Sequence, residues 1–125
     1  MDKNYLRELD NVIQRAALMI EGESVNLIKS SIPPPLSPKT LLSKLKAGYS
    51  PIPLIRTGEL LQSIRSEKTG ELESVVGAFS KYAIFHEFGV PSINLPQRPF
   101  MVPALDNMLP TIEDEVKETL RRTDL

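Results

Sequence analysis

The residues with the clearest potential for chemistry are His86 and Glu87, which stand side by side in the stretch KYAIFHEFGVPSINLPQRPF, residues 81–100. An imidazole beside a carboxylate is able to work as an acid–base pair. A zinc protease needs a second histidine four residues away, but His86 is the only one in the chain. A histidine-led hydrolase needs a serine such as that of G-x-S-x-G, which this sequence lacks. We therefore expect a packed, hydrogen-bonded histidine and no enzyme, and keep a small hydrolase using His86 and Glu87 as a remote alternative.

The composition excludes several other kinds of active site and ligand site. The chain has no cysteine, so disulfides, thiolate metal sites and thiol nucleophiles are excluded. Its six glycines form no phosphate-binding loop. We therefore predict no catalytic residue, no cofactor and no bound metal. The net charge of −1, without a basic block, disfavours a dedicated duplex-DNA surface and leaves a nucleic-acid-binding module as a third alternative.

Length and hydropathy indicate one domain in water. The 125 residues are 41% hydrophobic and 25% charged, values typical of globular proteins. No apolar run approaches the roughly eighteen residues that a membrane helix needs, and the first residues lack an apolar signal segment. We expect a single soluble domain over residues 1–125 that has no membrane partner and is not exported by a signal peptide.

Arg98 and the nearby aromatic residues have two candidate roles. Arg98 is able to clamp a partner carboxylate with both arms of its guanidinium, or to tie its loop to a helix end through backbone carbonyls. We favour the structural role, and expect Tyr82, Phe88, Arg98 and Phe100 to hold the fold. Phe85 and Phe88 lie three residues apart, so in a helical turn they share a face, which we expect to pack in the core.

A long helix is predicted over residues 3–31, with Asp2 as its N-cap. Apolar residues recur there at helical spacing and form one stripe. The members of this stripe are Leu6, Leu9, Ile13, Ala16, Ala17 and Ile20. The helix must end before Pro33, because a residue that precedes proline avoids helical backbone angles.

Residues 32–56 form a proline-rich region that we expect to be a mobile loop with one short helix. The segment IPPPLSP cannot form regular structure, because its four prolines lack donors and fix φ. A plain loop is favoured over a ligand for a proline-recognition domain. The short helix is predicted to have Ser37 as N-cap and Pro38 as its first residue, and to stop at Gly48. The candidate contact residues in this region, which would order on assembly, are Pro33, Pro34 and Pro35.

A β-hairpin is predicted for the middle of the chain. Residues 63–67 and 71–78 are typical strand sequences, and they flank a three-residue turn, Lys68, Thr69 and Gly70. Gly70 is expected in the left-handed position of that turn. Lys68, Thr69 and Gly70 are also candidate contact residues.

Two short elements flank the hairpin. Thr57 is a suitable N-cap for a short helix that continues through Gly58 and the buried Leu60. Residues 82–88 are expected to form a short ordered element that ends in a sharp turn at Gly89.

A helix that begins near Pro103 is predicted to end the chain, with Pro110 kinking or splitting it. Its apolar stripe is expected to be core: Ala104, Leu105, Met108, Leu109, Ile112, Val116 and Leu120. Together these elements predict an α+β fold, in which a small antiparallel sheet with a β-hairpin packs against a long N-terminal helix and a C-terminal helix.

Three segments, in this order, resemble a known family. In LSPKTLLSKLKAGYSPIPLIRTGELLQSI the matching residues are Leu36, Thr40, Lys44, Pro53, Leu54, Ile55, Thr57, Gly58, Leu60, Ser63 and Ile64. In VVGAFSKYAIFHEFG they are Val76, Gly77, Tyr82, Ala83, His86, Glu87, Phe88 and Gly89. In LPQRPFMVPAL they are Pro96, Arg98, Pro99, Phe100, Pro103, Ala104 and Leu105. Over residues 36–106 the chain resembles the tail-completion, or head–tail joining (neck), proteins of long-tailed bacteriophages, a group that includes the virion-morphogenesis proteins.

The resemblance implies a non-enzymatic subunit of the virion. Such a subunit assembles with copies of itself as a ring, expected to be a hexamer, and often stays monomeric until it meets the tail. Its other implied partners are the phage tail tube or terminator protein and the head connector or stopper proteins, with DNA only in transit. The implied location is the neck of the virion, at the tail end, and the host cytoplasm during assembly.

Sister roles in the same structure remain alternatives, namely a tail terminator or a head-side stopper. The chain departs from the family pattern at Pro110, which interrupts a helix that is usually continuous, and at Leu95, where isoleucine is usual.

Overall fold

Five helices and one β-hairpin make up the part of the chain that the computed structural model describes, residues 3–55 and 58–122. In chain order they are α1 (Lys3–Lys29), α2 (Pro38–Lys46), α3 (Glu59–Ser63), β1 (Ile64–Gly70), β2 (Glu73–Ala78), α4 (Ala83–Phe88) and α5 (Met101–Arg122), with a short 3-10 helix at Pro91–Ile93. The antiparallel hairpin packs against α1, which also packs against α5. The predicted α+β fold is confirmed.

Helix α1 is the element that the rest of the fold contacts. It packs against α5 and against both strands of the hairpin. Its buried residues are Val12, Ala17, Ser24 and Ile28, whereas the predicted stripe, apart from Ala17, is only half-buried. A helix that carries a hairpin and a second helix uses more than one side, so its buried residues do not follow a single stripe. The predicted N-cap, Asp2, lies outside the described residues.

The hydrophobic core lies at the C-terminal end of α1. It consists of Ile28, Leu60, Ile64, Ala83 and Phe100, which come from five different elements or junctions. Phe100 is the largest of the fully buried side chains, and burying a phenylalanine contributes about 1.5–3 kcal/mol. The core therefore joins α1, the base of the hairpin, α4 and the start of α5.

The hairpin turn differs from its prediction. Gly70 pairs with Glu73 at the end of the sheet, and the turn lies at residues 71–72, where Leu72 has a left-handed φ of +56°. The ladder is irregular between Lys68 and Gly70, so the extra residue sits inside β1 and not in the turn. The prediction of Gly70 as the left-handed turn residue was wrong.

Contacts with α1 explain this register. The Oδ1 atom of Asp10 accepts a hydrogen bond from the backbone N–H of Leu72 at 3.1 Å, and Oδ2 accepts one from Lys68 Nζ. Further along, Ser66 Oγ donates to Glu21 Oε2 at 3.2 Å. A tertiary contact to the backbone of Leu72 therefore outweighs the local preference for glycine in a turn. The hairpin runs along α1, with its tip beside Asp10.

The proline-rich region contains the predicted short helix, α2. Ser37 is its N-cap, with Oγ accepting from Thr40 N at 3.2 Å, and Gly48 follows its end with φ +78°. No residue of α2 is buried. Lys44 Nζ donates to the carbonyls of Ile52 and Ile55 at 2.9 and 3.0 Å, which closes the following loop onto the helix. The expected mobility of residues 32–56 stays a prediction.

Helix α5 runs from Met101 to Arg122 with Pro110 inside it, so of the two predicted effects of Pro110 the split is excluded and the kink stays a prediction. Proline removes one helical hydrogen bond, to the carbonyl four residues earlier. Both Pro110 and Asp106 are exposed, so water can satisfy that carbonyl. Of the expected core stripe, Leu105 and Leu109 face outward. Within residues 3–55 and 58–122, no helix has the length and apolarity to span a membrane.

Candidate functional site

The candidate residues from the sequence lie close together at the junction between α4 and α5. Glu87 lies on the buried side of α4, four residues after Ala83, and its side chain reaches the first turn of α5. Oε1 accepts from the backbone N–H groups of Phe100 and Met101 at 3.1 and 3.0 Å, and Oε2 accepts from Val102 N–H at 3.3 Å. Glu87 is therefore the N-terminal cap of a helix to which it does not belong.

The first turn of α5 needs hydrogen-bond acceptors from outside the helix. The first N–H groups of any helix lack partners within it, and the partial positive charge there favours an anion. Helix α5 has no acidic residue in its first turn. The carboxylate of Glu87 supplies both the acceptors and the charge, so it locks α4 onto the start of α5.

Gly89 forms the sharp turn that ends α4 and begins the connection to α5. Its φ of +74° and ψ of +166° lie in a region that is open essentially to glycine alone. A Cβ atom at this position would lie 2.9 Å from Gln97 N and 3.1 Å from Leu95 O. The predicted sharp turn is confirmed. It is closed by a pair of backbone hydrogen bonds between Val90 and Leu95, at 2.9 and 3.1 Å.

Arg98 fastens the proline-rich region to this junction. Its backbone N–H donates to His86 O at 2.9 Å, while Nε and Nη2 both donate to Pro34 O, at 2.9 and 2.6 Å. The residue is only 5% exposed, and this burial lowers the pKa of Arg98 from its ordinary value. The structural role through a backbone carbonyl is the observed one, but the carbonyl belongs to Pro34 and not to a helix end.

His86 is half-buried, and its Nδ1 atom is buried without a hydrogen-bond partner. The expectation of a hydrogen-bonded ring was therefore wrong at this atom. Burial, followed by the positive charge of Arg98, lowers the pKa of His86 from its ordinary value of 6.5. The imidazole is accordingly neutral at pH 7.

The pair formed by His86 and Glu87 does not have the geometry of an acid–base dyad. Both carboxylate oxygens of Glu87 already accept backbone hydrogen bonds from α5. A carboxylate that caps a helix is not available to orient the imidazole of His86 or to take its proton. In the described part of the chain, no group of three histidine, aspartate or glutamate side chains could hold a metal ion.

The outer side of α4 and the residues just before it carry exposed apolar side chains, which we call the aromatic face. It consists of Phe79, Tyr82, Ile84, Phe85 and Phe88, whose exposed fractions range from 47% to 66%. The expectation that Phe85 and Phe88 pack in the core, and that Tyr82 and Phe88 hold the fold, was wrong. The inner side of this six-residue helix is taken by Ala83 and Glu87, so the large side chains are left facing solvent.

Two cations border the aromatic face. The guanidinium carbon of Arg65 lies 4.0 Å from the centre of the Phe79 ring, and Lys81 Nζ lies 5.1 Å from the centre of the Tyr82 ring. Both distances suit a cation–π contact. The prediction from sequence did not include Arg65. Alternation along β1 could have found it, because Arg65 follows the inward-facing Ile64 and so points outward.

The other predicted residues occupy separate places. Gly58 is the N-cap of α3, with φ +85°, Leu60 belongs to the core, and Pro99 is half-buried beside Phe100. Thr57, the predicted cap, lies outside the described residues. The candidate contact residues at the hairpin and in the proline-rich region are exposed, except that Gly70 is half-buried: Lys68, Thr69, Gly70, Pro33, Pro34 and Pro35.

The structure thus defines an α+β chain with a tightly bonded α4–α5 junction and an exposed aromatic face. Comparison with protein-family models, with curated proteins and with solved structures found no match.

Proposed function

We propose that this chain is a structural subunit of a phage or prophage virion, which completes the tail and joins it to the head. The observation that carries the proposal is the aromatic face, an exposed apolar surface built on a rigid junction. Four rings, each about half exposed, contribute roughly 400 Å² of apolar surface. A patch of that size matches the largest apolar patch of a typical monomer, and such patches are often functional.

The total surface supports an assembling subunit. The chain has an accessible surface of 8254 Å². A folded monomer of 14.0 kDa exposes about 6,700 Å². The chain therefore exposes roughly 1,500 Å² more than an average monomer of its mass, as expected of a subunit that buries part of its surface on assembly.

The chemistry of the junction supports a binding role over a catalytic one. Glu87 is engaged in capping α5, and the Nδ1 atom of His86 is buried. The residues that carry the resemblance to neck proteins therefore have structural tasks here: Glu87 caps, Gly89 turns, Arg98 ties in Pro34 and Phe100 fills the core. Such residues preserve a shape, which is what a family of assembly proteins requires.

The proposed partners are further copies of this chain in a ring, the tail tube or terminator protein on one side and the connector or stopper proteins on the other. In this proposal the ring is a hexamer that forms on the tail end. The free subunit is a monomer, and DNA passes through the ring without being read. The protein is located in the host cytoplasm during assembly and in the virion neck afterwards.

Electron microscopy of lysates tests the proposal. The gene is deleted from the phage or prophage that encodes it, and particles are counted before and after addition of the purified chain. We expect DNA-filled heads lying apart from tails of normal length, and their joining when the chain is added. Intact, infectious particles in the deletion lysate would contradict the proposal.

The same micrographs separate the sister roles. Tails of irregular length in the deletion lysate would assign the chain as a tail terminator, whereas heads that have lost their DNA would assign it as a head-side stopper. The matched control is a chain carrying His86→Gln, which we expect to join heads to tails normally. Failure of joining in this folded variant would revive the hydrolase alternative.

A further inference from the structure

A second surface on this chain complements the aromatic face. The outward side of the hairpin ends in three exposed glutamates and two exposed apolar residues, which together we call the acidic tip. Its members are Glu67, Glu71, Leu72, Glu73 and Val75. Leu72 and Val75 are 36% and 45% exposed.

The acidic tip is negative and the aromatic face is bordered by positive charge. Lys68, the one cation at the tip, is held by Asp10, whose pKa is lowered chiefly by that hydrogen bond. The aromatic face has Arg65 over Phe79 and Lys81 over Tyr82. Each surface thus combines exposed apolar side chains with one sign of charge, and the two signs are opposite.

The turn of the acidic tip and α4 lie too far apart to meet within one chain, although Glu67 and Val75 are on the same outward side of the hairpin as Arg65 and Gly77, two residues further along each strand. The tip is fixed beside Asp10 by the Leu72 N–H, whereas α4 packs through Ala83 into the core cluster around Ile28. Asp10 and Ile28 are both on α1, where eighteen steps of 1.5 Å separate them by about 27 Å. A contact between tip and face must therefore join two copies of the chain.

We infer that the acidic tip of one copy docks on the aromatic face of the next copy. Leu72 and Val75 lie against the rings of Phe85 and Phe88, while the tip glutamates face Arg65 and Lys81 of the neighbour. Such a contact uses two different surfaces of one chain, so it repeats head to tail and closes into a ring when the rotation allows. It also covers the hairpin end, which otherwise exposes apolar side chains.

Another exposed apolar element, α2, fits the aromatic face less well. It exposes Leu42 and Leu45, but its charges are three lysines and no acid (PKTLLSKLK). Bringing α2 to Arg65 and Lys81 of a neighbour would place like charges together, which opposes binding. Between these two elements, the charges favour the tip.

Disulfide trapping tests this contact directly, because the chain has no cysteine of its own. One purified chain carries Leu72→Cys at the tip, and a second, distinguishable by a mass tag, carries Ile84→Cys on the aromatic face. The two are mixed and mildly oxidised, and the mixed dimer is quantified by intact-mass spectrometry. The control partner carries Leu18→Cys on α1, a site that is 58% exposed against 59% for Ile84. We expect about tenfold more mixed dimer for the tip–face pair than for the control pair.

Charge reversal gives the second arm. Adding Arg65→Glu and Lys81→Glu to the Ile84→Cys chain is expected to abolish the excess of mixed dimer. Adding Glu71→Lys and Glu73→Lys to the Leu72→Cys chain is expected to restore it. Thermal unfolding first shows that each variant is folded. A tip–face yield equal to the control, or a loss that the reversed tip does not restore, overturns the inference.

This inference rests on the proposed function, because both require copies of the chain to contact one another. The two experiments can nevertheless contradict one without contradicting the other. Trapping uses purified chain alone, whereas the joining role is scored in phage lysates. Trapping without joining would leave the contact and remove the neck role. Joining without trapping would leave the neck role and place the contact between copies elsewhere, on α2 or α5.

Discussion

The inner and outer sides of α4 are built from opposite kinds of residue. On the inner side, the charged Glu87 is buried beside Ala83 and makes three hydrogen bonds to the backbone of α5. On the outer side, Ile84, Phe85 and Phe88 are exposed. A helix of a globular protein normally shows the reverse arrangement, with apolar residues inside and charged residues outside.

The six residues of α4 thus have two roles, stability on the inner side and, in the proposed function, association on the outer side. A buried carboxylate is stable only when its oxygens are satisfied, and the free N–H groups of α5 satisfy them. Exposed rings contribute little to the folding of an isolated chain, and the proposed function assigns them to a contact with another molecule. Substitutions on the inner side should therefore change stability, and substitutions on the outer side should change association alone.

The largest effect on the inner side is expected at Gly89. Gly89→Ala places a methyl group 2.9 Å from Gln97 N and demands a backbone conformation that alanine avoids. We expect the free energy of unfolding to fall by about 3 kcal/mol, from strain and overlap together. Urea unfolding followed by circular dichroism measures it.

Gly22→Ala is the matched control. A Cβ atom at Gly22 meets nothing within 4 Å, and Gly22 lies inside α1. There alanine is expected to raise the free energy of unfolding by about 0.5–1 kcal/mol. Equal effects of the two substitutions would show that the turn at Gly89 is not needed for the junction.

The turn at Gly89 shows which part of the structure local sequence determines. A glycine followed by Pro91 ends a helix on local grounds alone, and Ser37 followed by Pro38 begins one in the same way. The long helix and the hairpin also follow from apolar spacing within each segment. These features were predicted because the residues that cause them are neighbours in the chain.

Glu87→Ala is expected to have the next largest effect. It leaves three N–H groups at the start of α5 without their acceptor, two of them bonded to one oxygen. We expect a loss of about 2 kcal/mol in the free energy of unfolding, and a smaller loss for Glu87→Gln, which keeps one oxygen. Calorimetry checks both, with Glu113→Ala on the exposed side of α5 as control. A loss at Glu113 as large as at Glu87 would argue against the cap.

Arg98→Ala is expected to lower the free energy of unfolding by about 1.5 kcal/mol, since it removes two charge-assisted hydrogen bonds to Pro34 O. It should also release the proline-rich region, so that trypsin cleaves faster at Lys39. Arg7→Ala, at an exposed position on α1, is the control. Unchanged cleavage at Lys39 would mean that Pro34 is held by other contacts. Unchanged stability with failed assembly would move Arg98 to an interface.

The contacts of Glu87, Arg98 and Asp10 show what the sequence does not reveal. Their backbone partners lie 13 to 64 residues away, and every residue has such backbone groups. No spacing rule selects Pro34 O from the other carbonyls. The outward direction of Phe85 and Phe88 escaped prediction for the same reason, because it follows from the occupation of the inner side by Glu87.

The effect of pH isolates His86. Its pKa is lowered in the folded chain by burial and by Arg98, so above the ordinary value of 6.5 both folded and unfolded chains hold a neutral ring. As the pH falls below 6.5, only the unfolded chain takes up the proton, and stability falls until the pH passes the folded pKa. We expect the native chain to lose stability as the pH falls below the ordinary histidine pKa of 6.5, and His86→Gln to lose less. Parallel urea titrations measure both. The lowered pKa of Asp10 acts only below its ordinary 3.8.

Phe88→Ser is expected to have the smallest effect on stability and so gives the sharpest test of the outer side. Phe88 is 66% exposed, more than any other member of the aromatic face, and serine leaves the bonds of Glu87 intact. We expect the free energy of unfolding to change by less than about 0.5 kcal/mol. The same substitution should abolish tip–face trapping and the joining of heads to tails. Phe100→Ser, at a ring of the core, is the opposite control, because it should unfold the chain. If Phe88→Ser destabilised the chain as much as Glu87→Ala does, both sides of α4 would stabilise the fold. That result would contradict the proposal that the aromatic face is a contact surface.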